Sequence, residues 1–328
     1  MKILVIGSNS FSGSSFITHT METENEVMGI SRSVEAKKSV HSYAQKSKGR
    51  QFRFLQADLN DMSEENYKAI FRFRPKLVVN FAAQSMVAPS WNHPEDWYNT
   101  NIVSLSKLVS RLATLDSMEK YVHVTTPEVY GSTANWISEG EVFNPSTPYA
   151  VSRAAGDLHM RVMQKEKGFP VVFTRAANVY GSSQQLYRVI PKAFLSALTD
   201  TPFRLHGGGT SRRSFIHVSD VSRATFQIAQ EGAIGEDYHI STSQLITIRE
   251  LVEKIYLTSG KTLELDNSIA EERAGKDAGY FLDSRKLESE LNWRSLISLE
   301  EGLDEVGTWV KLNLESFRNM SWEYVHKK

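Results

Sequence analysis

The chain has 328 residues, enough to bury a full core as one large domain or two smaller ones. Its 38 basic and 38 acidic side chains cancel, so net charge gives no reason to expect nucleic acid or an acidic membrane as a partner. The absence of cysteine excludes a disulfide framework, a thiolate metal site and a cysteine nucleophile, and no apolar run reaches the ~18 residues of a membrane span.

Residues 3–6 read as a short buried strand. The apolar run stops at Gly7 and Ser8, short of the roughly 7–15 residues of a secretory core, so a cytoplasmic protein is expected. The strand runs into Gly7, Ser10, Phe11 and Gly13, with a helix predicted over 13–21. Such a turn offers backbone N–H groups and a helix N-terminus to a pyrophosphate. Glycine is expected at every third position of this loop, and the middle one here is Ser10. A second strand, 26–30, ends at Ser31 and Arg32, where NAD sites of this design place an acid on the ribose 2′-hydroxyl. With an Arg and no acid there, the expected cofactor is NAD or NADP, with NADP weakly favoured by Arg32. Residues 37–48 are polar and basic and read as a solvated loop or helix face.

A third strand, 52–56, precedes Asp58 and Leu59, which are placed at the adenine. A helix over 64–73 and a strand over 77–81 lead to Ala82 and Ala83, small residues where a cofactor would pass closely. Trp91, His93, Pro94 and Trp97 form an aromatic loop that lines a site or packs into the core. A helix over 102–115 and a strand over 121–125 follow, then Thr126, Pro127 and Glu128. Tyr149 stands four residues before Arg153, ahead of a helix over 152–166 and a strand over 171–175. Strand and helix alternating at this interval imply an α/β fold, a Rossmann-type doubly wound parallel sheet with helices on both faces.

After residue 178 the strands shorten, Gly207, Gly208 and Gly209 mark a turn, and helices are expected over 219–230, 247–259 and 284–291. This half reads as a smaller C-terminal substrate-binding lobe. The expected division is a dinucleotide-binding domain over 1–177, with a return segment near 214–240, and a lobe made mainly of 178–328. The nine His residues show no metal-ligand spacing, so no metal is expected.

Residues 80–84, 125–131, 144–153, 175–181 and 213–220, in that order, resemble the extended short-chain dehydrogenase/reductase family. Within it the chain looks like the nucleotide-sugar 4,6-dehydratases, over nearly its whole length. Residues 29–33 and 82–85 are most similar to the GDP-mannose branch; 144–157 and the second lobe are more similar to the dTDP-glucose branch. The resemblance implies a nucleotide-diphosphate sugar as substrate and a tightly bound, recycled cofactor. Tyr149 would take the proton of the sugar 4-hydroxyl as hydride leaves C4, with Thr126 holding the 4-oxygen. Glu128 would then take the proton on C5, which the new ketone acidifies, and the 6-hydroxyl would leave as water. Hydride would return to C6.

Two residues depart from the pattern. Arg153 stands where the motif has Lys; it keeps the charge that lowers a phenol pKa but is bulkier and planar. Pro127 stands where the dTDP-glucose branch has an acidic Asp, which leaves a variant with Glu128 alone. Gln84, Ser85, Asn178, Arg213 and Arg273 would hold the substrate, with Arg212 an alternative to Arg213, and Tyr187 with the segment 184–189 over the base. Ala278 and Gly279 stand where relatives carry a further Arg. A homodimer through the helices near 102–115 and 152–166 is implied. The alternatives are a UDP-glucuronate decarboxylase, a nucleotide-sugar epimerase, or a non-catalytic cofactor-binding protein.

Overall fold

The structure, a computed structural model, describes residues 1–35, 52–133, 135–140, 142–264, 269–270 and 279–327. The basic stretch at 37–48, Arg273 and Ala278 lie outside the described residues.

Seven strands form the main sheet: β1 (Lys2–Ile6), β2 (Glu26–Ser31), β3 (Phe52–Gln56), β4 (Leu77–Asn80), β5 (Lys120–Thr125), β6 (Val171–Ala176) and a later strand, Asp237–Ile240. All pair in parallel, in the order Asp237–Ile240, β6, β5, β4, β1, β2, β3. Six of the seven match the apolar runs of the sequence. The reason is burial on both faces: Ile3, Leu4, Val5 and Ile6 are all essentially inaccessible. Alternate residues serve opposite sides. Ile3 and Val5 pack with α1 (Phe11–Thr20) through Phe16 and Ile17, whereas Leu4 and Ile6 pack with Ile70, Leu108 and Met160.

On that second face lie α2 (Glu64–Phe73), α3 (Pro94–Tyr98), α4 (Leu105–Leu112) and α5 (Pro148–Lys167). The start of α4 differs from the expected helix over 102–115. A wider π-helical turn, Asn99–Ser104, precedes it and turns Asn101 inward. Asn101 accepts from the Gln84 backbone N–H at 2.9 Å and donates to Ser152 Oγ at 2.9 Å. Helix α5 starts earlier than expected, because Pro148 occupies the first turn and Thr147 accepts from the Ala150 N–H. Tyr149 is therefore helical, and Tyr149, Arg153 and Asp157 share one face at four-residue spacing.

Asp157 anchors that face. Arg175, fully buried on β6, donates to Asp157 at 2.6 Å and to Asp237 at 2.7 Å. Arg161 also pairs with Asp237, Thr125 Oγ1 donates to Asp157 at 3.0 Å, and His123 Nε2 lies 3.2 Å from it. Burial works to raise the Asp157 carboxyl. Arg175, the contact with His123 and Arg153 together outweigh it and hold the group well below the usual carboxylate range. This network joins β5, β6, the seventh strand and α5.

The second lobe has its own core. Helices α6 (Val189–Thr199), α7 (Val218–Glu231), α8 (Ile248–Thr258), α9 (Arg285–Leu291), α10 (Leu299–Leu312) and α11 (Leu314–Arg318) follow in the chain. Phe194, Leu251, Ile255, Leu303 and Val306 bring α6, α8 and α10 together. By contrast α7 lies on the main sheet through Val221 and Ile228, and Leu287, Leu291 and Trp293 of α9 and its end join the same core. The Gly207–Gly209 turn is present as expected. Among the described residues, no helix is long and apolar enough to cross a membrane, and no cluster of side chains suited to a metal occurs.

Candidate active site

Strand order reverses direction at β1, which has β2 on one side and β4 on the other. Ligands of open α/β sheets bind above the carboxyl ends of the strands at such a point. There Gly7 has φ +84, and a Cβ on it would lie 2.8 Å from the Ala82 nitrogen. A Cβ on Gly13 would lie 2.3 Å from the Gly7 carbonyl oxygen. Both positions therefore require glycine. Ser10 does not: its φ is −73, and its Oγ caps α1 by accepting from the Gly13 N–H at 3.0 Å. A serine at the middle position thus supports the turn rather than breaking it. This close-packed turn at a helix N-terminus fits a dinucleotide pyrophosphate, with Phe11 at the first turn of α1.

The other predicted cofactor residues lie around this turn. Ser31 accepts from the Asn9 N–H at 2.9 Å, so its hydroxyl fastens the end of β2 to the loop. Arg32 is exposed beside it and donates to the Lys327 carbonyl at 3.2 Å. Ala82 follows β4 and donates its N–H to Asn80 Oδ1, with Ala83 next in the chain. Asp58 caps a short turn through Asn60 N–H at 2.9 Å, and Leu59 is half-buried against the sheet core.

The four predicted catalytic residues converge at the end of β5. Thr126 hydrogen-bonds the Tyr149 phenol and also caps the 3₁₀ turn Pro127–Tyr130, which carries Glu128. Pro127 sits at the first position of that turn, where its missing N–H costs nothing. Arg153 is buried and donates to the Val124 carbonyl, while its Nε is buried with no partner among the described residues. Burial pushes the Tyr149 phenol up and Glu128 adds to this. Arg153, the Thr126 hydrogen bond and Arg188 pull the other way. A phenol poised between an acid and two cations, hydrogen-bonded to a threonine, is suited to exchange a proton with a sugar hydroxyl.

Toward the second lobe, Tyr280 donates to Asn178 Oδ1 at 3.0 Å, and the Arg213 guanidinium stacks on the Tyr280 ring at 4.8 Å. Arg213 is buried and Arg212 exposed, which favours Arg213 as the inward cation. Gln84 is buried and donates to the Lys327 carbonyl at 2.8 Å, whereas Ser85 is exposed. Trp97 of the aromatic loop is fully buried and Trp91 is half-exposed, so the two halves of that loop have different roles.

The sequence places Arg188 only within the segment 184–189 over the base, with no sign that its charge acts on Tyr149. Arg188 precedes the first residue of α6 beside Tyr187, with its guanidinium 5.6 Å from that ring, and its charge acts on Tyr149. The only signal for it is a cation placed just before a helix, which occurs at many helices without function.

A sequence profile described as GDP-mannose 4,6 dehydratase matches residues 4–306. A probable dTDP-glucose 4,6-dehydratase of Sinorhizobium fredii is 30% identical over 325 residues, covering 94% of this chain and 92% of that one. The DesIV dTDP-glucose 4,6-dehydratase of Streptomyces venezuelae, solved with NAD and TYD bound, superimposes with a TM-score of 0.87 at 28% identity, covering 96% and 98% of the two chains. A UDP-glucose 4-epimerase of Thermotoga maritima, solved with UDP-glucose, gives 0.85 at 26% identity, over 96% and 100%.

Proposed function

The chain belongs to the GDP-mannose 4,6 dehydratase family, and from that premise we propose how its residues act as a nucleotide-sugar 4,6-dehydratase. The observation that carries the reading is the meeting of Tyr149, Thr126 and Glu128 beside Arg153. The dinucleotide supplies reversible hydride acceptance. Tyr149 holds and removes the 4-hydroxyl proton, and Thr126 fixes the oxygen. Arg153 and Arg188 stabilise the phenolate, Arg153 held in place by its bond to the Val124 carbonyl. Glu128 takes the C5 proton. Because Pro127 has no proton to give, Glu128 must also deliver one to the departing 6-hydroxyl.

Mass spectrometry of the protein with UDP-, dTDP-, GDP- and CDP-sugars tests this. Loss of one water without net cofactor reduction is expected. An unchanged mass with every donor, together with epimerised product, would overturn it in favour of an epimerase. Arg188 offers the cation a uronate carboxylate would need, so UDP-glucuronate belongs in the panel, and loss of carbon dioxide would mark a decarboxylase.

Arg153→Met should lower kcat by about 10²-fold or more through loss of phenolate stabilisation. It should also move the rising limb of the pH–rate profile to higher pH, since Arg153 is one of the groups holding the phenol down. Arg153→Lys should restore much of the rate. An unshifted limb in Arg153→Met would remove Arg153 from this role.

Asn178, Arg213 and Tyr280 are suited to the nucleotide diphosphate, the guanidinium fork matching phosphate oxygens. NAD or NADP fits the turn at Gly7–Gly13, and Arg32 without an acid at Ser31 favours the 2′-phosphate. We take 1–177, with a return segment near 214–240, as the dinucleotide domain, and 178–328 mainly as the substrate lobe. Val151, Leu158 and Val162 form an exposed apolar stripe along α5, and Val103 is exposed on the turn before α4. This stripe supports a homodimer, and sedimentation velocity should give twice the monomer mass.

A further inference from the structure

The segment after α11 does not trail into solvent. Trp322 packs on the second-lobe core and donates its Nε1–H to the Phe317 carbonyl at 2.8 Å. Glu323 pairs with Lys192 of α6 at 2.6 Å, and the Tyr324 ring meets Tyr187 edge-on at 5.3 Å. All these contacts belong to the second lobe. The chain then crosses to the first. The His326 ring stacks on Trp97 with centroids 5.0 Å apart, and its Nε2 lies 2.8 Å from Asp96. The Lys327 carbonyl accepts from Arg32 at 3.2 Å and from Gln84 at 2.8 Å.

Those last two donors locate the crossing. Arg32 follows β2 and Gln84 follows β4, and β1 runs between these strands. One carbonyl bonded to both lies between the ends of β2 and β4, at the end of the sheet where β1 runs into the turn at Gly7–Gly13. Fixing the backbone of such an irregular segment is costly in entropy unless contacts offset it. Here it is tied at both lobes, and on the first lobe to residues that border the trough.

We propose that Ser321–Lys327 is a strap that holds the cofactor trough shut, so that a dinucleotide enters or leaves only when His326 and Lys327 release. The inference rests on the dinucleotide reading of that trough. It suits the chemistry, because a hydride that returns to the sugar leaves the cofactor ready for the next turnover without exchange.

The test compares NADH exchange in the full chain and in a chain ending after Glu323, which keeps the Trp322 and Lys192 anchors. His326→Ala serves as a milder variant. Stopped-flow fluorescence should show association and dissociation both faster, by about tenfold, when the hydrogen bonds and stack are lost. Because the protein has no cysteine, Val325→Cys takes a single spin label. That label should be immobile in the otherwise intact chain and mobile with His326→Ala. Unchanged exchange rates, or a label mobile from the start, would overturn the strap. A tighter NADH affinity with unchanged dissociation would overturn it too, by showing a segment that competes with the cofactor. If the full chain binds neither NADH nor NADPH, the dehydratase reading falls as well, whereas tight binding with insensitive rates removes the strap alone.

Discussion

A Glu128→Gln enzyme should bind nucleotide sugar and oxidise it at C4, yet release water at least about 10²-fold more slowly. Glutamine keeps the shape of the side chain on the Pro127–Tyr130 turn but cannot take the C5 proton or deliver one to the leaving hydroxyl. The expected signature is a stoichiometric burst of near-ultraviolet absorbance with no dehydrated product and no solvent deuterium entering at C5. The burst should also shift with pH. Glu128 raises the Tyr149 phenol, so removing its charge lowers the phenol pKa and moves the rising limb of the burst rate to lower pH. Deuterium entering at the wild-type rate would assign the C5 proton to another base.

Tyr149→Phe should lower kcat by about 10³–10⁴-fold with little change in substrate affinity, and should abolish the burst itself. The ring remains packed in α5, and only the proton-exchanging oxygen and its hydrogen bond with Thr126 are lost. The two variants thus separate oxidation from elimination. A Tyr149→Phe enzyme that still gave a full burst would show that proton removal from the 4-hydroxyl does not need the phenol. Thr126→Val is the natural companion, since it keeps the phenol and removes its partner, together with the cap of the Pro127–Tyr130 turn.

Much of this architecture was legible in the chain because burial on both faces writes strands as uninterrupted apolar runs, as at 3–6 and 77–79. The seventh strand escaped notice for the opposite reason. Asp237 and His239 put polar residues in a buried strand, and their partners Arg175 and Tyr130 lie far away in sequence. Helix α6 was missed because it is buried nearly all round and carries Pro191 in its first turn, so it lacks an amphipathic period. The proposed catalytic residues Tyr149, Arg153 and Glu128 were singled out because a helix and a short turn fix their spacing locally. Arg188 and the strap were not, because the contact that gives each its meaning is distant. Arg32 and Lys327 are 295 residues apart. The serine at position 10 and the proline at 127 looked like defects in a pattern, yet each takes a position its local backbone accommodates.

The separate core of the second lobe has a consequence for how such a protein diversifies. Phe194, Leu251, Ile255, Leu303 and Val306 pack among themselves, while the helix that carries the tyrosine answers to Arg175 and the sheet. Substitutions that reshape the nucleotide-sugar pocket can be absorbed within the lobe, without disturbing the ion pairs that set the chemistry. Apart from Arg188 at the start of α6, whose charge acts on Tyr149, selection for a new base or sugar therefore has a region in which to work that is separate from the ion pairs of the sheet, and laboratory evolution of substrate range should draw its accepted changes from that lobe.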